Sequence, residues 1–275
     1  MTGPGEGEQT ELAGTDALED AVTAEVDVVS AWTVRGSVPP GLAACLLLAA
    51  VRTGWHGPVR IEVAADGALG RGPASLTASG FDPANGRRRC ATLRAADGSA
   101  SITATIREGR SDDERPPAGL RTVTHWPEDV PAFRGGRPGP AALFEVRPLP
   151  APDRNELSAD AWVRPNRPDE GVRSELLAVD SWLAGAQLAY LRRHADDPDG
   201  GSLPAVDWRR ATFHLDLDTA SPPGPRWLLR RLRSDDPATP TIDVGAVEVV
   251  DGAELRPRIR FEIERSVIAP VADGS

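Results

Sequence analysis

One aspartate stands inside the long apolar stretch of the second half of this chain: Asp180, in RSELLAVDSWLAGAQLAYLRR from Arg173. Leu176, Leu177, Val179, Trp182 and Leu183 flank it. Aspartate is a poor interior helix former, so its presence asks for a reason. At helical spacing it lies four residues after Leu176 and three before Leu183, on the apolar face rather than on a solvent stripe. Desolvation raises the pKa of a carboxylate in such surroundings towards neutrality, the condition for a general base that activates water.

The other reactive side chains form no site of their own. His56, His125, His194 and His214 are scattered without HExxH spacing, so no metal is expected. His214 follows Thr212 by two residues and shares its strand face, which offers an alternative acid or base; its ordinary reading is a half-buried strand residue. Cys45 and Cys90 lack the spacing of a metal knuckle or redox pair and read as buried thiols in a reducing compartment. The absence of a GxSxG elbow rules out an α/β-hydrolase serine. GALGRG at Gly67 lies between strands with no helix after it, so it is a turn and not a dinucleotide loop. No cofactor is expected.

The elements that must position Asp180 are repeated. CATLRAADGSASITATIRE from Cys90 and GAVEVVDGAELRPRIRFEIE from Gly245 each place Asp-Gly between two alternating runs, the pattern of a tight hairpin, and the two pairs lie 154 positions apart. VRIEV at Val59 precedes FHLDL at Phe213 by the same interval. An apolar helical run precedes each block, GLAACLLLAAVRTG from Gly41 and the stretch from Arg173 to about Arg193, the second clearly longer. The repeat unit is therefore one helix followed by about four antiparallel strands. The strands are expected near 59–65, 73–81, 87–96 and 100–108, and near 210–218, 226–234, 241–250 and 254–266, with a turn at Asp82–Gly86 and further strands at Glu25–Arg35, Phe144 and Asp160. A sheet of this kind buries one face against its helix, which is the α+β hotdog arrangement, and two units make a double hotdog.

The expected organisation is a disordered segment 1–20, an N-terminal hotdog domain 21–110, a Pro-, Gly- and Arg-rich linker 111–140 and a C-terminal hotdog domain 141–268. The formal net charge is -10, and all 31 Lys-or-Arg residues are arginine, the look of a GC-rich coding sequence. An acidic chain without a dense basic stripe is a poor nucleic-acid binder. RRR at Arg87 and RWLLRRLR at Arg226 read as solvated strand faces rather than phosphate receptors. The start MTGPGEGEQT has no leader character, and the longest apolar run, Leu42–Val51, is too short to span a bilayer, so the expectation is a cytoplasmic, soluble protein without membrane partners. Exposed sheet edges invite pairing, hence a homo-oligomer.

FEVRP followed by WVRP, a helix carrying LLAVDS, then ATFHLDLD, a strand opening with WLL and an Asp-Gly hairpin together resemble the second half of the acyl-CoA thioesterase II type of double-hotdog thioesterases. The resemblance runs from about 22 to 266 in order of elements. It implies a helix Asp, a strand Thr and a last-strand Gln that jointly hold the attacking water. The Asp maps onto Asp180 and the Thr onto Thr212; the Gln position falls most closely on Arg260, in a strand that also carries Pro257. Where the family opens its first helix with Gly-Gly near the thioester carbonyl, this chain has Pro39-Pro40-Gly41, leaving Gly41 and Leu42 as backbone donors. The implied substrate is an acyl-CoA or carrier-bound acyl thioester. The alternatives are a protein that binds such thioesters without hydrolysing them, or a double-hotdog enzyme of another reaction type.

Overall fold

The computed structural model describes residues 10–12, 30–34, 38–51, 58–69, 72–78, 88–108, 125–134, 142–150, 159–166, 172–185, 187, 205–216, 226–234, 241–251 and 254–268. In chain order they form β1 (Thr10–Leu12), β2 (Ser30–Val34), α1 (Pro40–Val51), β3 (Pro58–Asp66), β4 (Gly72–Ala78), β5 (Arg88–Ala95) and β6 (Ser101–Glu108). The second half supplies β7 (Phe144–Pro148), β8 (Ala161–Pro165), α2 (Val172–Ala178), β9 (Ala205–Asp216), β10 (Leu228–Ser234), β11 (Thr241–Asp251) and β12 (Glu254–Ile268). The Asp82–Gly86 turn, His56, His194, residues 188–193 and most of segments 1–29 and 111–140 lie outside the described residues. Thr10–Leu12, inside the segment expected to lack order, forms a strand.

Among the described residues the twelve strands belong to one sheet in the order β1-β2-β4-β5-β6-β3-β9-β12-β11-β10-β8-β7, antiparallel except at β1–β2. The halves meet at β3 and β9, where Val59 faces Leu215 and Ile61 faces Phe213. Because residues 154 apart exchange places across this seam, an approximate twofold axis passes through the Arg60–His214 pair. The equivalence extends outward: Leu76 pairs with Leu93 in one half as Arg230 pairs with Val247 in the other, each 154 positions on.

Strict alternation decides which face is buried. Val59, Ile61 and Val63 of β3, Ala211, Phe213 and Leu215 of β9, and Ile259, Phe261 and Ile263 of β12 all point to the helix side and join one core cluster. α1 is apolar on every side and has ten buried residues, as a helix must when sheet and second helix enclose it. It packs on β3 to β6 and against α2. The far face of the second half is covered too: Trp162 stacks on Trp126 with ring centroids 5.9 Å apart and donates its indole N–H to the carbonyl of His125 at 2.9 Å.

Two local expectations change. The first Asp-Gly hairpin is wider than a two-residue turn: Ala95 N donates to Ala100 O at 2.9 Å, enclosing Ala96 to Ser99, with Gly98 at φ 73° and the Asp97 carboxylate accepting from the amide and hydroxyl of Ser99. The second closes at Asp251–Glu254. α2 is also shorter than α1, ending at Ala178 rather than continuing unbroken towards Arg193, and among the described residues helical backbone recurs at Gly185 and Gln187. Among the described residues no helix is long and apolar enough to cross a membrane.

Candidate active site

The interruption of α2 is where Asp180 sits. After Ala178 the chain tightens into i to i−3 bonds: Val179 N to Leu176 O (3.2 Å), Asp180 N to Leu177 O (3.1 Å) and Ser181 N to Ala178 O (3.2 Å). The Ser181 hydroxyl, fully buried, also donates to Ala178 O at 2.6 Å and closes the helix end. A residue disfavoured inside a helix thus stands at a break in one.

The break delivers the carboxylate to the N-terminus of α1. That helix starts with Pro at a position whose missing N–H is harmless, and Ala43 N closes the first turn onto Pro39 O at 2.9 Å. Leu42 N donates to Asp180 Oδ2 at 2.9 Å, and the Gly41 N–H is a second donor to the same carboxylate. The approach requires glycine: a Cβ on Gly41 would lie 2.7 Å from Asp180 Oδ2 and nearer still to the carbonyl of Leu176. Trp208 steadies the segment entering α1, donating its indole N–H to Val38 O at 2.9 Å. The site is therefore built across the twofold axis, donors from the first half and acid from the second.

Burial pushes Asp180 up to about 6, against the lowering pull of Arg265, the Leu42 and Gly41 N–H groups and Arg230. Protein surrounds the group closely, yet the residue keeps some accessible surface; desolvation still wins because its main polar neighbours are fixed donors rather than free water. Cys45 on α1 is buried and its thiol is pushed up to about 12, so it stays protonated.

A charged cluster on the core face surrounds this point. Arg230, fully buried, donates to the carbonyls of Ala159 (2.8 Å), Leu183 (3.0 Å) and Val179 (3.3 Å). Arg265 donates from Nε to Asp243 Oδ2 at 2.7 Å, and Gly185 N donates to the same oxygen at 3.3 Å. Burial draws Arg230 down to about 10, opposed chiefly by Asp243, and it remains a cation at neutral pH. Among the described residues Arg230 Nη2 and Asp243 Oδ1 have no partner.

Of the residues expected from sequence, the structure brings Asp180, Gly41 and Leu42 together. It places Thr212, His214 and Arg260 elsewhere. Thr212 faces Glu62 and Glu262 across its neighbours, and His214 faces Arg60 and Arg260, all on the face that alternates with Ala211, Phe213 and Ile259. Pleating points these side chains away from the helices and from Asp180. Arg230, Asp243 and Arg265 were missed, although parity carried them: each sits in step with core residues, Arg230 with Leu228 and Leu232, Asp243 with Gly245 and Val247, Arg265 with Phe261 and Ile263. Among the described residues no group of three or more His, Cys, Asp or Glu is placed to hold a metal ion.

Neither a protein-family model nor a curated protein matches the chain. Solved structures do. A protein of unknown function with a hot dog fold from Alicyclobacillus acidocaldarius superposes with a TM-score of 0.69 at 18% identity, covering 94% of this chain and 100% of its own. The fold is a double hotdog. A putative thioesterase II from Thermobifida fusca YX (TM-score 0.63, 15% identity, 94% and 99% coverage) and the acyl-CoA thioesterase II TesB2 from Mycobacterium marinum (0.56, 14%, 92% and 99%) share it. In hotdog terms, Asp180 lies where the central helix of one repeat ends against the start of the central helix of the other.

Proposed function

We propose that this double-hotdog protein hydrolyses acyl thioesters, with CoA or an acyl carrier as the thiol, and that Asp180 is the general base. The observation that carries the reading is a carboxylate held at the N-terminus of α1 with its value raised to about 6. At neutral pH such a group is mostly ionised, yet it is basic enough to accept a proton. Water attacks the acyl carbon as Asp180 takes its proton; the tetrahedral intermediate then expels the thiolate, which receives that proton. The C–O bond forms, the C–S bond breaks, and a carboxylic acid and a thiol leave. The two solved thioesterases of the same fold support the choice of reaction class. The reading also takes the protein as cytoplasmic and self-associating.

One observation favours a second reading, a protein that binds acyl thioesters without cleaving them. The Gly41 and Leu42 N–H groups, the natural donors for a carbonyl oxygen at this helix end, are turned onto Asp180.

The test is thiol release from acyl-CoAs of short, long and aromatic chains by wild type and by Asp180→Asn. A fall of about a hundredfold or more, the scale of a lost general base, with a wild-type kcat/KM that rises with pH through about 6, is the expected result. Tight acyl-CoA binding with no turnover of any chain overturns hydrolysis in favour of the second reading.

A further inference from the structure

We propose that Arg230 is a positioning residue for Asp180: its guanidinium clamps the backbone on both sides of the break in α2 and so fixes the carboxylate against α1. The inference rests on the site above and adds to it a residue that the thioesterase resemblance does not single out. Three of its contacts define the clamp. Nε takes the carbonyl of Val179, immediately before Asp180, Nη1 takes that of Leu183, three residues after it, and Nη1 also takes Ala159 O, just before β8. Breaking a helix frees carbonyls that must find donors if they are buried. A planar guanidinium supplies several donors in one rigid fork, which a lysine cannot.

The twofold repeat supplies an internal control. The position equivalent to Arg230 in the first half is Leu76, equally buried and held in the same strand register. The fold therefore accepts an aliphatic side chain there, and a buried cation is expensive unless something uses it. What differs between the halves is the element above: α1 runs unbroken to Val51 and carries no acid, whereas α2 breaks at Asp180. The cation tracks the break.

The charged groups acting on Asp180 are Arg265 of β12 and Arg230 of β10, with Asp243, Arg265 and Asp160 acting on Arg230 in turn; Asp180 itself acts on the Cys45 thiol of α1, which Arg173 of α2 also faces. Losing the clamp removes a positive charge and loosens the Leu42 N–H bond, and both changes favour the protonated acid.

The experiment compares wild type, Arg230→Met and Arg230→Lys, reading the Asp180 titration from carboxyl carbon chemical shifts assigned against Asp180→Asn, together with the pH dependence of thiol release. The expected result is a midpoint moved above its wild-type value in Arg230→Met and by less in Arg230→Lys, which keeps the charge but not the fork, with turnover reduced in both and roughly a hundredfold in Arg230→Met, the scale of a reacting group displaced by about 1 Å. A folded Arg230→Met with the wild-type midpoint overturns the proposal, because charge and clamp both act on that midpoint, and a folded Arg230→Lys with wild-type turnover overturns it too, because the charge without the fork then suffices. Slow solvent exchange of the Arg230 Nε–H in wild type is also expected, and fast exchange refutes the clamp even where the variants do not fold. If no acyl thioester is cleaved while the midpoint moves as described, hydrolysis fails and the positioning role stands.

Discussion

Replacing Asp180 by Asn should stabilise the protein at neutral pH while removing the proposed base. The ordinary aspartate value is 3.8 and the folded value is about 6, so the folded chain holds this proton more tightly than the unfolded chain does. The stabilisation that the protonated acid contributes is complete below 3.8 and is lost as the pH rises through about 6. At about 1.4 kcal/mol per pH unit, the gap between the two values corresponds to about 3 kcal/mol. This is an upper figure, since part of the residue still meets solvent. Asn is the neutral isostere and can still accept the Leu42 N–H, so it avoids the loss. Urea unfolding of both proteins from pH 3.5 to 8, followed by tryptophan fluorescence, should show the mutant gaining on wild type across the window from 3.8 to 6 and levelling off above it, with a final difference of up to about 3 kcal/mol. A difference independent of pH would refute the raised value. A mutant that loses ground as the pH rises would mean that Arg265, Arg230 and the α1 N–H groups outweigh desolvation, and that Asp180 is held as a structural anion.

The Gly41→Ala variant forces a Cβ against Asp180 Oδ2 and Leu176 O; thermal unfolding should show a loss of about 1 to 3 kcal/mol, and an unchanged Tm would mean that α1 can slide away from the acid. Thr212→Ala and Arg260→Gln alter the face away from the helices, so thiol release should change less than about twofold and stability by about 0.5 kcal/mol or less. A large loss of turnover in either variant would restore the assignment made by resemblance.

Alternation made the sheet readable. Val59 to Val63 and Ala211 to Leu215 each show one apolar face, and the shared interval of 154 residues marks them as equivalent strands of two repeats; that these two strands form the seam is a feature of the structure. The same parity argues against Thr212 and Arg260 as partners of Asp180, because each lies out of step with the core residues beside it. They entered through similarity of order to a family, and order does not carry face. The end of α2 was not readable in that way. LLAVDSWLAGAQLAYLRR keeps an apolar helical period through Asp180, and the donor that meets the Val179 and Leu183 carbonyls at the break is Arg230, about fifty residues later. A contact at that separation leaves no local pattern.

The two repeats have diverged in what their core positions hold while keeping register. Where β10 has Arg230, β4 has Leu76; where β11 has Asp243, β5 has Arg89, whose guanidinium caps the last carbonyl of α1 at Val51. One repeat thus uses a half-buried Arg to cap the end of its helix, and the other uses an Arg and an Asp to support an interrupted one. The first repeat contributes an unobstructed helix start with a glycine that admits close approach; the second contributes the acid. Neither repeat contains both parts, and the antiparallel seam of β3 and β9 brings them within hydrogen-bonding distance. Among the described residues α1 carries no acid, and the carboxylate that meets its start is Asp180 of the other repeat, so the twofold symmetry of the sheet is not kept at this helix end.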